Sequence, residues 1–233
     1  FGSGFLNTAA TDDYGRSFSA TGGYDENTYV GIFYFLWNSS AYGVHDVSEY
    51  EKRGEVESVL TGDTVPRAPN FTYWGKPLYD YYSSTDTWVI RKHLELFMNA
   101  GLDFIAFDCT NSQFYSDAAY AFLDVALEYQ QMGYDVPKIM FMTNTEPVPR
   151  TTQIYNALYQ DDYYESLWFK GTGDKPWIIS EANNSSQLDS EIRDRFYFKK
   201  AQWPNEGRNE NNFPWMSWTY PQETFRDGQV GNI

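Results

Sequence analysis

Two carboxylates stand where a protein built of alternating strands and helices keeps its chemistry. Asp108 lies near the end of segment 103–110 (DFIAFDCT), and Glu181 lies in segment 176–183 (PWIISEAN). Each follows an apolar run of strand length, and a charge in such a place needs a reason, because burying an unpaired carboxylate is expensive. In the first segment Ile105, Phe107 and Cys109 share one face, while Ala106, Asp108 and Thr110 share the other, with Asn111 just beyond. The apolar set suits a helix-covered layer, and Asp108 then points into an opening. Ligand binding or acid/base work is the functional reading of Asp108, and a structural carboxylate satisfied by nearby amides and hydroxyls is the alternative. For Glu181 the alternative is a salt bridge or a cap in the loop. Paired carboxyl groups hydrolyse glycosidic bonds when they stand about 5–5.5 Å apart (retention) or about 6.5–9.5 Å apart (inversion). Two strands of separation permit such a pair.

Neutral polar and aromatic residues accompany them. Segment 138–145 (KIMFMTNT) runs through Asn144 into Glu146, and Ser180 and Asn183 flank Glu181. Asn, Thr and Ser supply donors and acceptors without charge, as a hydroxyl-rich ligand requires. Thr110, Asn111 and Asn144 are the candidates of this kind. Trp37, Trp203 and Trp218 end three further segments, and together with Trp74 they can serve as stacking platforms with an apolar face and a polar edge. Asn38 and His45 belong to a long irregular stretch where contact with a ligand is open to them, and an exposed loop position is the alternative for His45. Glu146, in a loop before Pro147, ranks below Glu181. His93 falls mid-helix near Val89 and Leu96 and reads as structural.

The elements that must position these residues follow from the apolar pattern. Strand-length runs occupy 30–37 (VGIFYFLW), 103–110, 138–145, 176–183, 196–203 (FYFKKAQW) and 214–220 (PWMSWTY). Helical patterns fall between them. One covers 85–99, capped by Thr85-Asp86, with Ile90, Leu94 and Phe97 on one face and a stop at Gly101. Another, capped by Ser116, ends at Gly133, a third spans 151–168, and a short turn lies at 189–194. Strand and helix in alternation imply an α/β fold with a parallel sheet. The expected architecture is a (β/α)8 TIM-type barrel, incomplete after about six strands, with its active residues at the carboxyl ends of the strands. A doubly wound open sheet competes, but no Gly-rich phosphate loop follows Trp37. Residues 1–28 read as an N-terminal arm and 29–233 as the barrel domain, with a long insertion at 38–84 and the chain stopping before closure.

Composition narrows the function. The net charge of −15, with Lys and Arg scattered along the chain, offers no basic patch for nucleic acid or an anionic membrane. No apolar run approaches the roughly 20 residues of a spanning helix. Cys109 is the single cysteine and only His45 and His93 are present, so neither a disulfide framework nor a His/Cys metal site is expected. No cofactor is implied, and the Asp12-Asp13 pair has no specific calcium-loop spacing. Aromatics make up 19% of the chain, with 20 Tyr and 8 Trp, which suits a surface that grips sugar rings. A carbohydrate is the expected partner, and the oligomeric state is left open.

Three stretches together carry a family resemblance. They are 30–37, 73–82 (YWGKPLYDYY), and Trp88-Val-Ile-Arg-Lys-His93 through Ala100-Gly-Leu-Asp and Phe104-Ile-Ala-Phe-Asp-Cys-Thr-Asn111. Over roughly residues 30 to 145 the chain resembles bacterial glycoside hydrolase-like barrels of families 99 and 71. The resemblance implies a retaining or related glycosidase, exported to the periplasm, the cell surface or the medium. It also implies that the principal catalytic carboxylates lie late in the barrel, so that Asp108 corresponds to a substrate-positioning group. A noncatalytic carbohydrate-binding protein on the same scaffold is the alternative.

Overall fold

The computed structural model describes residues 9–18, 29–39, 44–55, 57, 76–203, 206, 209, 212 and 213. Of the expected N-terminal arm, the described part is a small hairpin. Strands β1 (Ala10–Thr11) and β2 (Ser17–Phe18) pair antiparallel around Asp12. The Asp12 carboxylate holds the turn by accepting from the backbone N–H of Tyr14 (3.0 Å) and of Arg16 (2.9 Å). In the insertion, helix α1 (Val47–Lys52) is capped by Asp46. The insertion's two ends are tied together where the Asn38 carbonyl accepts from Ser84 N (2.7 Å) and Ser83 Oγ (3.1 Å).

The main body is a parallel sheet of five strands. These are β3 (Gly31–Phe35), β4 (Phe104–Cys109), β5 (Lys138–Thr143), β6 (Trp177–Ile179) and β7 (Tyr197–Lys199). They lie side by side in chain order. Helices α2 (Thr87–Ala100), α3 (Ser116–Gln131), α4 (Pro147–Leu158) and α5 (Ser190–Arg195) form the successive crossovers. A doubly wound sheet reverses its strand order at a switch point. Here the order never reverses, as in the wall of a (β/α) barrel. The sixth expected strand, 214–220, lies outside the described residues.

Strand periodicity sorts side chains onto two faces. Ile105, Phe107, Cys109, Ile139, Phe141 and Ile178 join the helix residues Ile90, Leu94, Phe122, Leu123 and Ile154 in one large buried cluster. At its centre the Phe107 ring, fully buried, packs against Phe122 (5.1 Å) and Phe141 (5.4 Å). The other face holds a smaller cluster of Ala106, Met140, Met142, Phe169, Ile179 and Ala201. Asp108, two residues beyond Ala106, belongs to this inner face. Gly31 permits a close β3–β4 approach, since a Cβ there would meet the Phe104 ring at 2.2 Å.

Local signals set several element ends. Asp86 caps α2 by accepting from Trp88 N (2.9 Å) and Val89 N (3.3 Å), and Gly101 closes it in the left-handed conformation at φ 70°. Other boundaries depart from expectation. Ser116 is the first residue of α3 rather than its cap; that position belongs to Tyr115, at φ 53° and with no side-chain cap bond. The third helix begins earlier than 151, because Pro147 is preorganised for a first turn, and it ends at Leu158. A 3₁₀ turn at Glu165–Leu167 follows, and Trp168 then bridges Ile139 in parallel register. Strands β6 and β7 are three residues each. Residues Ala182–Asn184 turn into a 3₁₀ helix, which places Glu181 at the cap of that turn rather than in a strand. His93 is structural: half-buried on α2, it meets the Tyr34 hydroxyl through Nδ1 (2.8 Å), and burial lowers its pKa.

Candidate functional site

Strand register assembles the site's floor. Phe35, Asp108, Met142, Ile179 and Lys199 are successive partners across the five strands, so they form one row near the carboxyl ends. Asp108 is only 5% exposed. Its Oδ1 accepts from the Thr110 backbone N–H (3.0 Å), and no ion pair reaches it among the described residues. Beside it the row is apolar, with Met142 and Ile179 fully buried and Phe35 largely exposed. A buried carboxylate on an apolar floor can accept hydrogen bonds from a ligand that brings donors.

The strand ends build the walls. The Thr110 carbonyl accepts from Thr145 N (2.9 Å), which carries the β4–β5 ladder past the last strand residues. Asn111, half-buried, donates through Nδ2 to the Tyr115 hydroxyl (2.5 Å), a group that belongs to the helix-side core. Asn144 and Glu146 are exposed, and the Ser112 hydroxyl donates to the Glu146 carboxylate. Ser112, Tyr115 and Glu146 all hold positive φ (64°, 53° and 52°), an uncommon concentration of left-handed backbone at two neighbouring strand ends.

Glu181 sits on the rim, its side chain 47% exposed, with Lys200 Nζ 3.3 Å away. Lys200 also binds Glu206 at 2.8 Å. That hydrogen bond, with the weaker one to Glu181, raises the Lys200 pKa; Lys200 in turn lowers that of Glu206. Two strand spacings of about 4.8 Å, plus two residues along the chain, put the Cα atoms of Asp108 and Glu181 on the order of 12 Å apart. The side chains then have room to flank one glycosidic oxygen.

The remaining expected contacts are dispersed. Trp37 packs edge-on to Phe35 (5.0 Å, 67°) and against the helix-side core. Asn38 uses its carbonyl to fasten the insertion. His45 Nδ1 lies 3.0 Å from the Tyr50 hydroxyl on α1, which ties it to the insertion's own helix. Trp203 is half-buried against the inner-face cluster, and its backbone N–H donates to the Glu206 carboxylate (3.1 Å). Trp74 and Trp218 lie outside the described residues. Ser180 faces the helices, where its Oγ accepts from Thr143 (2.8 Å) and lies 3.1 Å from Thr151 Oγ1. These buried hydroxyls pin α4 to the sheet.

Lys199 is the residue that reading the sequence missed. It lies on the inner face, 9% exposed, with Nζ 5.7 Å from the centre of the Trp177 ring. The available signal was its parity with Tyr197 in FYFKKAQW, and the neighbouring Lys200 masks it. Cys109 is no nucleophile. Burial and the Asp108 charge push its thiol pKa well up, and the sulfur donates to the Phe114 carbonyl (3.6 Å). Among the described residues no three His, Cys, Asp or Glu side chains are grouped to hold a metal, and no helix is long and apolar enough to cross a membrane.

A cavity of about 500 Å³ opens at the opposite, amino-terminal edge of the sheet, lined by Tyr29, Asp103, Lys138, Glu165, Trp168 and Lys170 among others. Its charges serve the fold. Glu165 binds Lys170 (2.6 Å) and Arg195, the Asp103 carboxylate accepts from Val30 N (2.7 Å), and Lys138 donates to the Ser166 carbonyl (2.8 Å). Barrel enzymes keep their chemistry at the other edge. The Asp108 row is therefore the better candidate.

Among solved structures, the chain aligns with the family 99 endo-alpha-mannosidase of Bacteroides thetaiotaomicron in complex with Bis-Tris-propane. Identity is 18% and the TM-score 0.44, over 76% of this chain and 53% of that one. The chain thus spans about half the length of that protein. No protein-family model matches the sequence, and no curated protein matches it. At this level of likeness the chemistry of the site has to be read from the chain's own residues.

Proposed function

We propose that the chain processes carbohydrate, hydrolysing a glycosidic bond at the carboxyl edge of its sheet. The observation that carries this reading is Asp108: a carboxylate 5% exposed, with no ion pair among the described residues, at the end of a strand whose inner face is otherwise apolar. A group in that setting is costly to keep unless it has work to do. Phe35, largely exposed beside it, presents the kind of apolar surface on which a sugar ring rests, and Asp108 accepts from its hydroxyls. Glu181 supplies the second carboxylate from the rim. Polymeric glycans are met outside the cell, so an exported enzyme acting there is part of the same reading.

Release of reducing ends from a panel of plant, fungal and host glycans tests it. Turnover on one of them, lost in Asp108→Asn and reduced at least a hundredfold in Glu181→Gln, is the expected result. Turnover unchanged by Asp108→Asn sinks the assignment. The Lys200 bond to Glu181 favours a second reading, in which the rim carboxylate is held as a structural anchor and the site binds glycan without cleaving it. Binding that Asp108→Asn abolishes, with no turnover by the unaltered chain, would select that version.

A further inference from the structure

We propose that the amino-terminal edge of the sheet holds a second, noncatalytic ligand site, which takes an uncharged oligosaccharide. This goes beyond the reading above and does not depend on turnover at the carboxyl edge. The cavity of about 500 Å³ there has the size of a small-molecule site. It shares Gly173 with a smaller recess of about 220 Å³, lined by Lys175, Trp177 and Tyr197 among others. Asp103, in the cavity wall, and Asp108 lie five residues apart along one strand, about 17 Å at 3.3 Å per residue, so the two sites are separate. A line of rings joins the two recesses. Tyr29 meets Phe169 (5.3 Å, 85°), Phe169 meets Trp177 (5.4 Å, 71°), and Trp177 meets Tyr197 (5.0 Å, 40°). Its end members, Tyr29 and Tyr197, are 41% and 47% exposed. Each offers a stacking face with a polar edge, and the three separations set them no more than about 16 Å apart.

The cavity wall is short of acceptors. Lys138 is half-buried, and that burial lowers its pKa against the opposing effect of the Asp135 charge. Its ammonium carries three donors. Among the described residues its hydrogen-bond partner is the Ser166 carbonyl (2.8 Å), and it has no ion pair. Trp168, also in the wall, is 2% exposed, and its indole N–H has no partner among the described residues. A ligand that supplies acceptors fits such a wall. The charges say which kind. Lys138, Lys170 and the Arg195 that Glu165 binds offset Asp103, Asp135 and Glu165, so the cavity favours neither sign. Sugar hydroxyl and ring oxygens accept without charge, and the apolar face of a pyranose suits an exposed tyrosine ring.

Calorimetric titration of the whole chain carrying Asp108→Asn, which disables the carboxyl edge, tests this with neutral oligosaccharides of glucose, mannose and xylose. The expected result is binding of one oligosaccharide per chain. Adding Lys138→Met, which keeps the stem and removes the donor, should weaken that binding about tenfold or more, as for loss of a charged hydrogen bond. Adding Tyr197→Ala instead should weaken it about two- to tenfold, as for loss of an aromatic contact. The melting temperature should stay nearly unchanged in both. Should Lys138→Met fail to melt cooperatively, Lys138→Gln takes its place with the same two readouts. Binding that both added changes leave within twofold overturns the site. Tighter binding of glucuronic acid oligosaccharides than of neutral ones overturns the ligand class. A sugar bound by the unaltered chain but not by Asp108→Asn overturns this inference and leaves the reading at the carboxyl edge standing. Binding retained in Asp108→Asn and lost on adding Lys138→Met supports the site, whether or not the unaltered chain turns a glycan over.

Discussion

Replacing Asp108 by Asn separates a working carboxylate from a structural one, because the two roles move stability in opposite directions. Asp108 is 5% exposed and has one hydrogen bond, from Thr110 N–H at 3.0 Å. Asn keeps a side-chain oxygen for that donor and nearly the same volume. The change removes a buried charge whose desolvation costs several kcal/mol in proteins. It also weakens a charge-assisted bond worth about 1.5–3 kcal/mol. The desolvation relief is the larger, so the variant should gain on the order of 1 kcal/mol. At about 2.1 cal/mol/K per residue, the unfolding entropy of 233 residues is about 0.5 kcal/mol/K. A gain of about 1 kcal/mol then raises the melting temperature by about 2 °C. Calorimetric melting at neutral pH, with glycan binding measured on the same samples, reads both quantities. A fall of about 6 °C, or about 3 kcal/mol, would mean that the native fold depends on this charge, and the functional argument for Asp108 would be refuted.

Three further outcomes test the fold that holds the site. Phe107→Ala empties the centre of the helix-side core, where the ring meets Phe122 and Phe141; a loss of about 3–5 kcal/mol is expected in denaturant titration, and less than about 1 kcal/mol would show the core to be loosely packed. Gly31→Ala should cost about 1–3 kcal/mol through its clash with the Phe104 ring, and adding Phe104→Ala should give a combined loss smaller than the sum of the two singles; strict additivity counts against the contact. Glu165 gives a pH signature. Burial pushes its pKa up, but the hydrogen bonds and charges of Lys170 and Arg195 outweigh that and bring it below its ordinary 4.5. Its contribution is therefore fully present above pH 4.5 and is lost as pH falls below that value through the lowered pKa. Melting curves between pH 6 and pH 3 should converge for the wild type and Glu165→Gln at the acid end, and a constant gap across that range would contradict the linkage.

How much of this was legible beforehand can be followed element by element. The alternation in DFIAFDCT foretold which side chains face the helices, because a strand's period of two is a local property. Asp86 and Gly101 marked the ends of α2 for a similar reason, since caps act within a turn of the chain. The strand-helix alternation was enough to predict a parallel sheet, and the order of its strands bears that out. The third helix was misplaced because 151–168 carries helical residues beyond Leu158, whereas the pairing of Trp168 with Ile139 requires an extended backbone there.

What the sequence alone determined was therefore the alternation of strand and helix from segment 30–37 through segment 196–203, the two faces of segment 103–110 and the position of Asp108 on the inner one. Only the tertiary structure decided that Ser180 turns to the helix side to meet Thr143 and Thr151, that Glu181 sits at the cap position of a 3₁₀ turn and meets Lys200, and that Lys199 shares a row with Asp108. The Ser180 contacts and the shared row join residues tens of positions apart, and Glu181 took its place on the rim when β6 stopped at Ile179. Period and capping act over a few residues, whereas register and strand length are set when whole strands align and bury their apolar faces together.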